Sequence, residues 1–174
     1  MHPLSVAFSE IYDEGFTRHF VVLGSTLGLA ESEVATAQPI EIDCQLLRIE
    51  RDVVVHGSME TSLRLVCSRC AEEFVLPLRV PLEAVYLPAH MASTAPEKKL
   101  EDGEADVYFY SEHLVDLAEM VRDKLLLAIP LQAYCRTGCR GLCPFCGVNW
   151  NISTCQCAQA GLGSPFHLLR ELYF

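Results

Sequence analysis

The chain has 174 residues, about half of them hydrophobic (51%) and 21% charged, enough apolar material for a real core and too much for wholesale disorder. Its formal charge of −10 excludes a surface that coats nucleic acid as a whole. The longest apolar region, Leu114 to Leu131, is interrupted by Asp116, Glu119, Arg122, Asp123 and Lys124, so no membrane span is expected. Met1-His2-Pro3-Leu4 lacks a basic region followed by a long apolar run; no signal peptide is expected, and the expected compartment is the cytoplasm.

In chain order, Phe20 to Leu23 suggests a short strand or an apolar turn, and Ala30 to Ala37 a short helix with Ser32 near its start. Ile40 to Leu46 alternates apolar with polar residues, the period-2 pattern of a half-buried strand. Asp52 to His56 is a valine-rich second strand, and Gly57-Ser58 predicts a turn into a third, where Leu63, Leu65 and Cys67 alternate with polar neighbours. Phe74 to Leu87 reads as a fourth strand, and its Pro77 and Pro81 point to an edge or a bulge. Short connections suggest an antiparallel meander. Pro88 to Ala105 has no periodicity and reads as an acidic loop, after which Asp106 to Tyr110 is one more strand.

A helix follows. Asp116 with Glu119 fits a capping box, Leu117, Met120, Val121, Leu125 and Ala128 recur at helical spacing, and Pro130 ends the element. Near the C-terminus, Ser164-Pro165 suits the start of a last helix that Phe166, Leu169, Leu172 and Tyr173 would dock. The expected fold is α+β: an antiparallel β-sheet meander with a packed helix and a C-terminal cysteine-rich zinc module. Residues 1–130 would form the sheet-and-helix body and residues 131–174 the zinc-binding segment with its helix, the two making one structural unit.

Nine cysteines are many for this length, and six lie within the 23 residues from Cys135 to Cys157. An odd count, tight clustering and no export signal favour metal over disulfides. Cys143-Pro144-Phe145-Cys146-Gly147 is the sharpest signal: two cysteines two residues apart can place both sulfurs on one ion, and the glycine permits a left-handed turn that aims N–H groups at them. Cys155-Gln156-Cys157 can complete such a site only if the chain turns there. Cys135 and Cys139 share a face of one helical turn, and Cys67-Ser-Arg-Cys70 is a second two-residue-gap pair between strands. The expected partition is Cys67 and Cys70 with Cys135 and Cys139, and Cys143 and Cys146 with Cys155 and Cys157. The first group would tie the C-terminal segment to the sheet.

A simpler alternative is one zinc drawn from the last six cysteines, with Cys67 and Cys70 merely reduced. Four thiolates leave no position for water or substrate, so one or two structural zinc ions are expected rather than catalytic ones. Cys44, on an alternating strand, is expected in the core. Strands flank Cys67 and Cys70, which disfavours a thiol redox pair of the kind found at helix starts. No glycine-rich phosphate loop or Gly-x-Ser-x-Gly elbow occurs, the six histidines are scattered along the sequence, and Trp150 reads as packing against the metal loop.

The order of these motifs is similar to one family throughout. Cys67-Ser-Arg-Cys70, the Asp116-Leu117 helix ending Leu126-Leu-Ala-Ile-Pro130, Cys139-Arg-Gly-Leu-Cys-Pro-Phe-Cys-Gly147, Asn149, Asn151, the final Cys-x-Cys, and Pro165-Phe166 with Leu169 resemble the bacterial YceD family, also called the large ribosomal RNA subunit accumulation protein family. The likeness runs from about residue 40 onward. Trp150, where a leucine would be expected, and the absence of an acid and a glycine before Cys155 depart from the pattern.

The resemblance implies a non-enzymatic cytoplasmic factor needed for large-subunit (23S) ribosomal RNA to accumulate. Its partner would be a ribosomal RNA precursor or a basic ribosomal protein; Arg69, Arg136 and Arg140 stand near the sites for the first, and the acidic loop suits the second. The competing readings are a thiol redox protein using Cys67 and Cys70 and a generic zinc-stabilised protein-interaction module. No small-molecule substrate or membrane partner is expected.

Overall fold

A computed structural model describes residues 2–29, 34–91, 106–111 and 113–157. The chain divides into two compact units. The first comprises Met1–Leu65 and Val75–Leu131, the second Val66–Phe74 and Gln132–Phe174.

The first unit is built on a five-stranded sheet. Its strands are β2 (Phe16–Val22), β3 (Ile40–Ile49), β4 (Asp52–Val66), β5 (Glu73–Pro88) and β6 (Asp106–Tyr110), hydrogen-bonded in that order. A small antiparallel pair joins β1 (Ser5–Ala7) to β7 (Leu114–Asp116). The helix α1 spans Ala118–Ala128. Among the described residues no helix is long and apolar enough to cross a membrane.

The alternation in β3 has the expected result: Ile40, Ile42, Cys44 and Leu46 are buried, while Glu41, Asp43 and Gln45 face solvent. They join Val53, Val55, Met59 and Leu63 of β4, Leu82, Ala84 and Tyr86 of β5, and Met120, Val121 and Leu125 of α1 in one core. Burying each of the valine, leucine, isoleucine and methionine side chains among them contributes about 1.5–3 kcal/mol. Burial pushes the Cys44 thiol up to about 11, with Asp43 adding to the effect. The helix starts where the Ala118 N–H donates to Asp116 Oδ1 at 3.0 Å, and it ends at Ile129, whose ψ of 122° is extended, as expected before a proline.

Several expectations fail in instructive ways. Gly57-Ser58 is not a turn; β4 runs through it as one strand of 15 residues. Glycine is needed there because a Cβ at 57 would lie 2.1 Å from the Asp43 carbonyl oxygen on β3. The sheet is not antiparallel throughout, since β6 runs parallel to β5, pairing Ala84 with Asp106 through Pro88 with Tyr110. That ladder begins beyond Pro77 and Pro81, so both prolines sit where β6 does not reach.

The expected helix at Ala30–Ala37 does not extend into its described part. Val34 is buried, and the chain runs extended along β4, with Ala37 N–H donating to Ser62 O and Arg64 N–H to Ala35 O; residues 30–33 lie outside the described residues. So do most of the expected acidic loop (92–105) and the last helix at Ser164 onward.

Candidate metal centres

The second unit has a different kind of core. Its buried residues, among those described, are Cys67, Cys70, Ala133, Cys139, Gly141 and Cys143. Phe74 and Cys135 pack against Cys67, Cys70 and Cys139. No leucine, isoleucine or valine of the described part is buried in this unit, so sulfur occupies the place that aliphatic side chains fill in the first unit.

Two turns of the same design present the Cys-x-x-Cys pairs. In the connection between β4 and β5, Cys67 N–H donates to Glu72 O at 2.9 Å and Ala71 N–H donates to Cys67 O at 2.9 Å. In the second turn, Cys143 N–H donates to Val148 O at 2.8 Å and Gly147 N–H to Cys143 O at 2.9 Å. The residue after the second cysteine is left-handed in both: Ala71 at φ 58° and Gly147 at φ 72°. The sequence signalled this geometry at Gly147 only, because alanine carries no such signature.

The eight cysteines expected to gather do so in two groups. Cys67, Cys70, Cys135 and Cys139 form one; Cys143, Cys146, Cys155 and Cys157 form the other. Within each, all Sγ atoms lie within 4.8 Å of one another, and either group could hold a metal ion. In the first, Cys67 and Cys139 sulfurs are 3.8 Å apart, as are those of Cys70 and Cys135. Four sulfurs held about 2.3 Å from a central ion stand about 3.8 Å apart, the edge of the tetrahedron. None of the nine cysteines is in a disulfide; Cys44, the ninth, is in the core of the first unit.

Donors converge on these sulfurs. Burial works against ionisation of Cys67, but the N–H groups of Cys135, Arg69 and Cys70 outweigh it and draw the thiol down to about 6. The Trp150 indole N–H, 3.4 Å from Cys155 Sγ, and the Cys157 N–H pull Cys155 down to about 6. Burial and the neighbouring sulfurs push the Cys135 thiol up to about 12, and Cys146 chiefly, then burial, pushes Cys157 up to about 12. A cation that binds four thiolates displaces whatever protons the sulfurs still carry.

Asn151 links the two groups. It lies in the loop between Cys146 and Cys155, yet its Nδ2 donates to Cys139 Sγ of the other group at 3.4 Å. The same side chain accepts from Arg140 N–H at 2.9 Å and donates to Asn149 Oδ1 at 2.8 Å. Asn149 in turn donates to Glu72 Oε1 at 3.3 Å, beside the first turn. Arg69 donates to Cys139 O at 3.1 Å and stacks over the Tyr134 ring at 4.5 Å. Sequence reasoning assigned Trp150 only a packing role and gave Asn149 and Asn151 none; their spacing shows nothing until the loop is folded back on the first turn.

Protection differs between the groups. Cys67, Cys70 and Cys139 are buried and Cys135 is half-buried. In the second group only Cys143 is buried; Cys155 and Cys157 are half-buried and Cys146 is exposed.

The family model described as "Large ribosomal RNA subunit accumulation protein YceD" matches residues 55–173, a span that contains all eight of these cysteines. A chloroplastic protein of Arabidopsis thaliana, "Large ribosomal RNA subunit accumulation protein YCED homolog 1", is 26% identical over 159 aligned positions, covering 76% of this chain and 49% of that protein. The protein of the same name from Zea mays is 27% identical over 157, covering 77% and 53%. An uncharacterized protein of Mycobacterium tuberculosis is 26% identical over 122, covering 70% and 56%. The chain thus spans about half the length of the curated relatives it matches. No solved structure matches it.

Proposed function

We propose, from the premise that this chain belongs to the YceD family of large ribosomal RNA subunit accumulation proteins, that it is a non-enzymatic, cytoplasmic ribosome-synthesis factor that promotes accumulation of 23S ribosomal RNA, its second unit held together by two structural zinc ions. The observation that carries the reading is the family match over residues 55–173, which takes in both sulfur tetrads.

Zinc is the metal whose chemistry suits this donor set. It binds thiolates tetrahedrally at about 2.3 Å, and the 3.8 Å sulfur separations agree with that edge. With Cys67, Cys70, Cys135 and Cys139 as one set of ligands and Cys143, Cys146, Cys155 and Cys157 as the other, zinc would supply four bonds and no reactive position. The chain's own residues do the rest: the N–H groups of Arg69 and Cys70 in the first turn point at the Cys67 sulfur, Asn151 and Trp150 donate to the Cys139 and Cys155 sulfurs, and Arg69 holds the Cys139 carbonyl.

The charge favours a basic ribosomal protein as the direct partner over RNA. The formal charge is already −10, and each zinc bound by four thiolates adds two negative charges. Arg136 and Arg140 are exposed and are the places where RNA contact would be made.

The test is depletion of the protein in its own cells. The 23S to 16S ratio and the yield of large subunits should fall, and be restored by the wild-type gene but not by the Cys67→Ser, Cys139→Ser variant. An unchanged ratio on depletion would refute the role. Co-purification with and without nuclease separates the partners. Loss of association after nuclease, together with its loss in Arg136→Glu, Arg140→Glu at low salt, would assign RNA instead.

A further inference from the structure

The two tetrads differ in one respect that matters for chemistry. Seven of the eight sulfur-bearing residues are buried or half-buried, and Cys146 alone is exposed. Its neighbours are not equivalent. Cys143 is buried at the base of its turn, its N–H and C=O both used by Val148 and Gly147. Cys155 is engaged by the Trp150 indole N–H. Cys157 is half-buried, and its sulfur lies within 4.8 Å of the Cys146 sulfur. A disulfide needs the two at about 2.05 Å, a closure of less than 3 Å that the torsions of two cysteine side chains can supply.

We propose that the second tetrad is an oxidation site: a peroxide reaching Cys146 closes a Cys146–Cys157 disulfide and releases the ion held there, while the first tetrad keeps its own. This rests on the zinc reading above. It differs from the redox alternative that the sequence offered, because the reactive pair is in the other group from Cys67 and Cys70, which are buried against Cys139 and Cys135.

The Cys146 thiolate attacks one oxygen of the peroxide; the O–O bond breaks, and the departing oxygen takes a proton and leaves as water. Cys146 is then a sulfenic acid. The Cys157 thiolate attacks that sulfur, the S–O bond breaks, and the second oxygen leaves as water with another proton. Two electrons pass from the two sulfurs to the peroxide, and two protons are drawn from solvent. The tetrad, left with Cys143 and Cys155, no longer has the four donors a closed site requires and releases its ion. The loop reaches the first tetrad's sulfurs through the Asn151 contact to Cys139, and its first turn through Asn149 on Glu72, so reordering of the loop loosens contacts to the first group without removing any of its four sulfurs.

The experiment uses the purified full chain loaded with zinc. Zinc per chain is measured first; hydrogen peroxide is then added with a chromophoric chelator present, and disulfides are mapped by mass spectrometry after alkylation. The expected result is release of one zinc of the two at least about tenfold faster than the other, with a Cys146–Cys157 disulfide, reversed by thiol plus zinc. The mapping is done on the wild-type protein, so it does not depend on whether Cys146→Ser still folds; in that variant the fast release should vanish. Release of both ions at one rate, release of neither, or a disulfide among Cys67, Cys70, Cys135 and Cys139 would overturn the inference. A chain that binds no zinc before peroxide overturns the metal reading itself.

Discussion

Removing the metal should unfold the second unit and spare the first. The structure sets the size of the effect. Among its described residues the second unit buries cysteines and Ala133, and no large aliphatic side chain. Cysteine and alanine bring little transfer energy, so ordering of residues 132–157 depends on the tetrads. A structural zinc site contributes about 10–16 kcal/mol at neutral pH, as much as the whole stability of an ordinary domain. Losing even one at the low end corresponds to about seven decades in the opening equilibrium at roughly 1.4 kcal/mol per decade.

The assay is amide hydrogen exchange before and after a strong chelator. Three amides report directly: Cys143 bonded to Val148 O, Gly147 bonded to Cys143 O, and Trp150 bonded to Gly141 O. They should fall from protected to nearly unprotected. Amides in the β3–β4 ladder, above the Ile42, Leu46, Val53 and Met59 core, should change by less than about tenfold. Chelated protein, shown to be metal-free, in which those three amides keep their protection would refute the reasoning; so would loss of the β3–β4 ladder at the same chelator concentration.

Further outcomes follow from single contacts. Asn151→Ala removes the donor to Cys139 Sγ and leaves Arg140 N–H without its acceptor; competition with a chelator should show roughly 10–100-fold weaker binding at the first tetrad, with the second changed much less. Ala71→Gly relieves a left-handed alanine and should raise thermal stability by up to about 1 kcal/mol, and an unchanged or lower Tm would mean that the turn is not under strain. The Cys44 thiol, raised from 9.0 to about 11, is protonated in both states below pH 9; above it the unfolded chain loses its proton first, so stability falls as pH rises toward 11. The loss should reach at most about 3 kcal/mol, and denaturant titrations at pH 8 and 11 should show that Cys44→Val flattens this part of the decline.

What could be read from the chain, and what could not, divides along physical lines. Ile40, Ile42, Cys44 and Leu46 were legible because a period of two is local, and so was the end of α1 before Pro130. Gly57 was not: a glycine between two strand-like runs signals a turn or a close approach equally well, and only the passage of the Asp43 carbonyl beside it decides. The direction of β6 was illegible for a similar reason, since a strand carries the same alternation whichever way it runs, and direction is set by how the chain returns to the sheet edge. At the tetrads the pairs were visible as spacings, and eight cysteines in four pairs leave few ways to make two groups of four. The residues that orient those sulfurs were hidden. Asn151 acts on Cys139 from twelve positions away, and Trp150 on Cys155 from five, through a loop whose fold is itself set by where the sulfurs go. The circularity has a physical meaning: in a unit whose described buried side chains are sulfurs but for Ala133, the loop's contacts and the metal site form together or not at all. A local pattern can announce the ligands of such a site, but its supporting hydrogen bonds exist only in the assembled state.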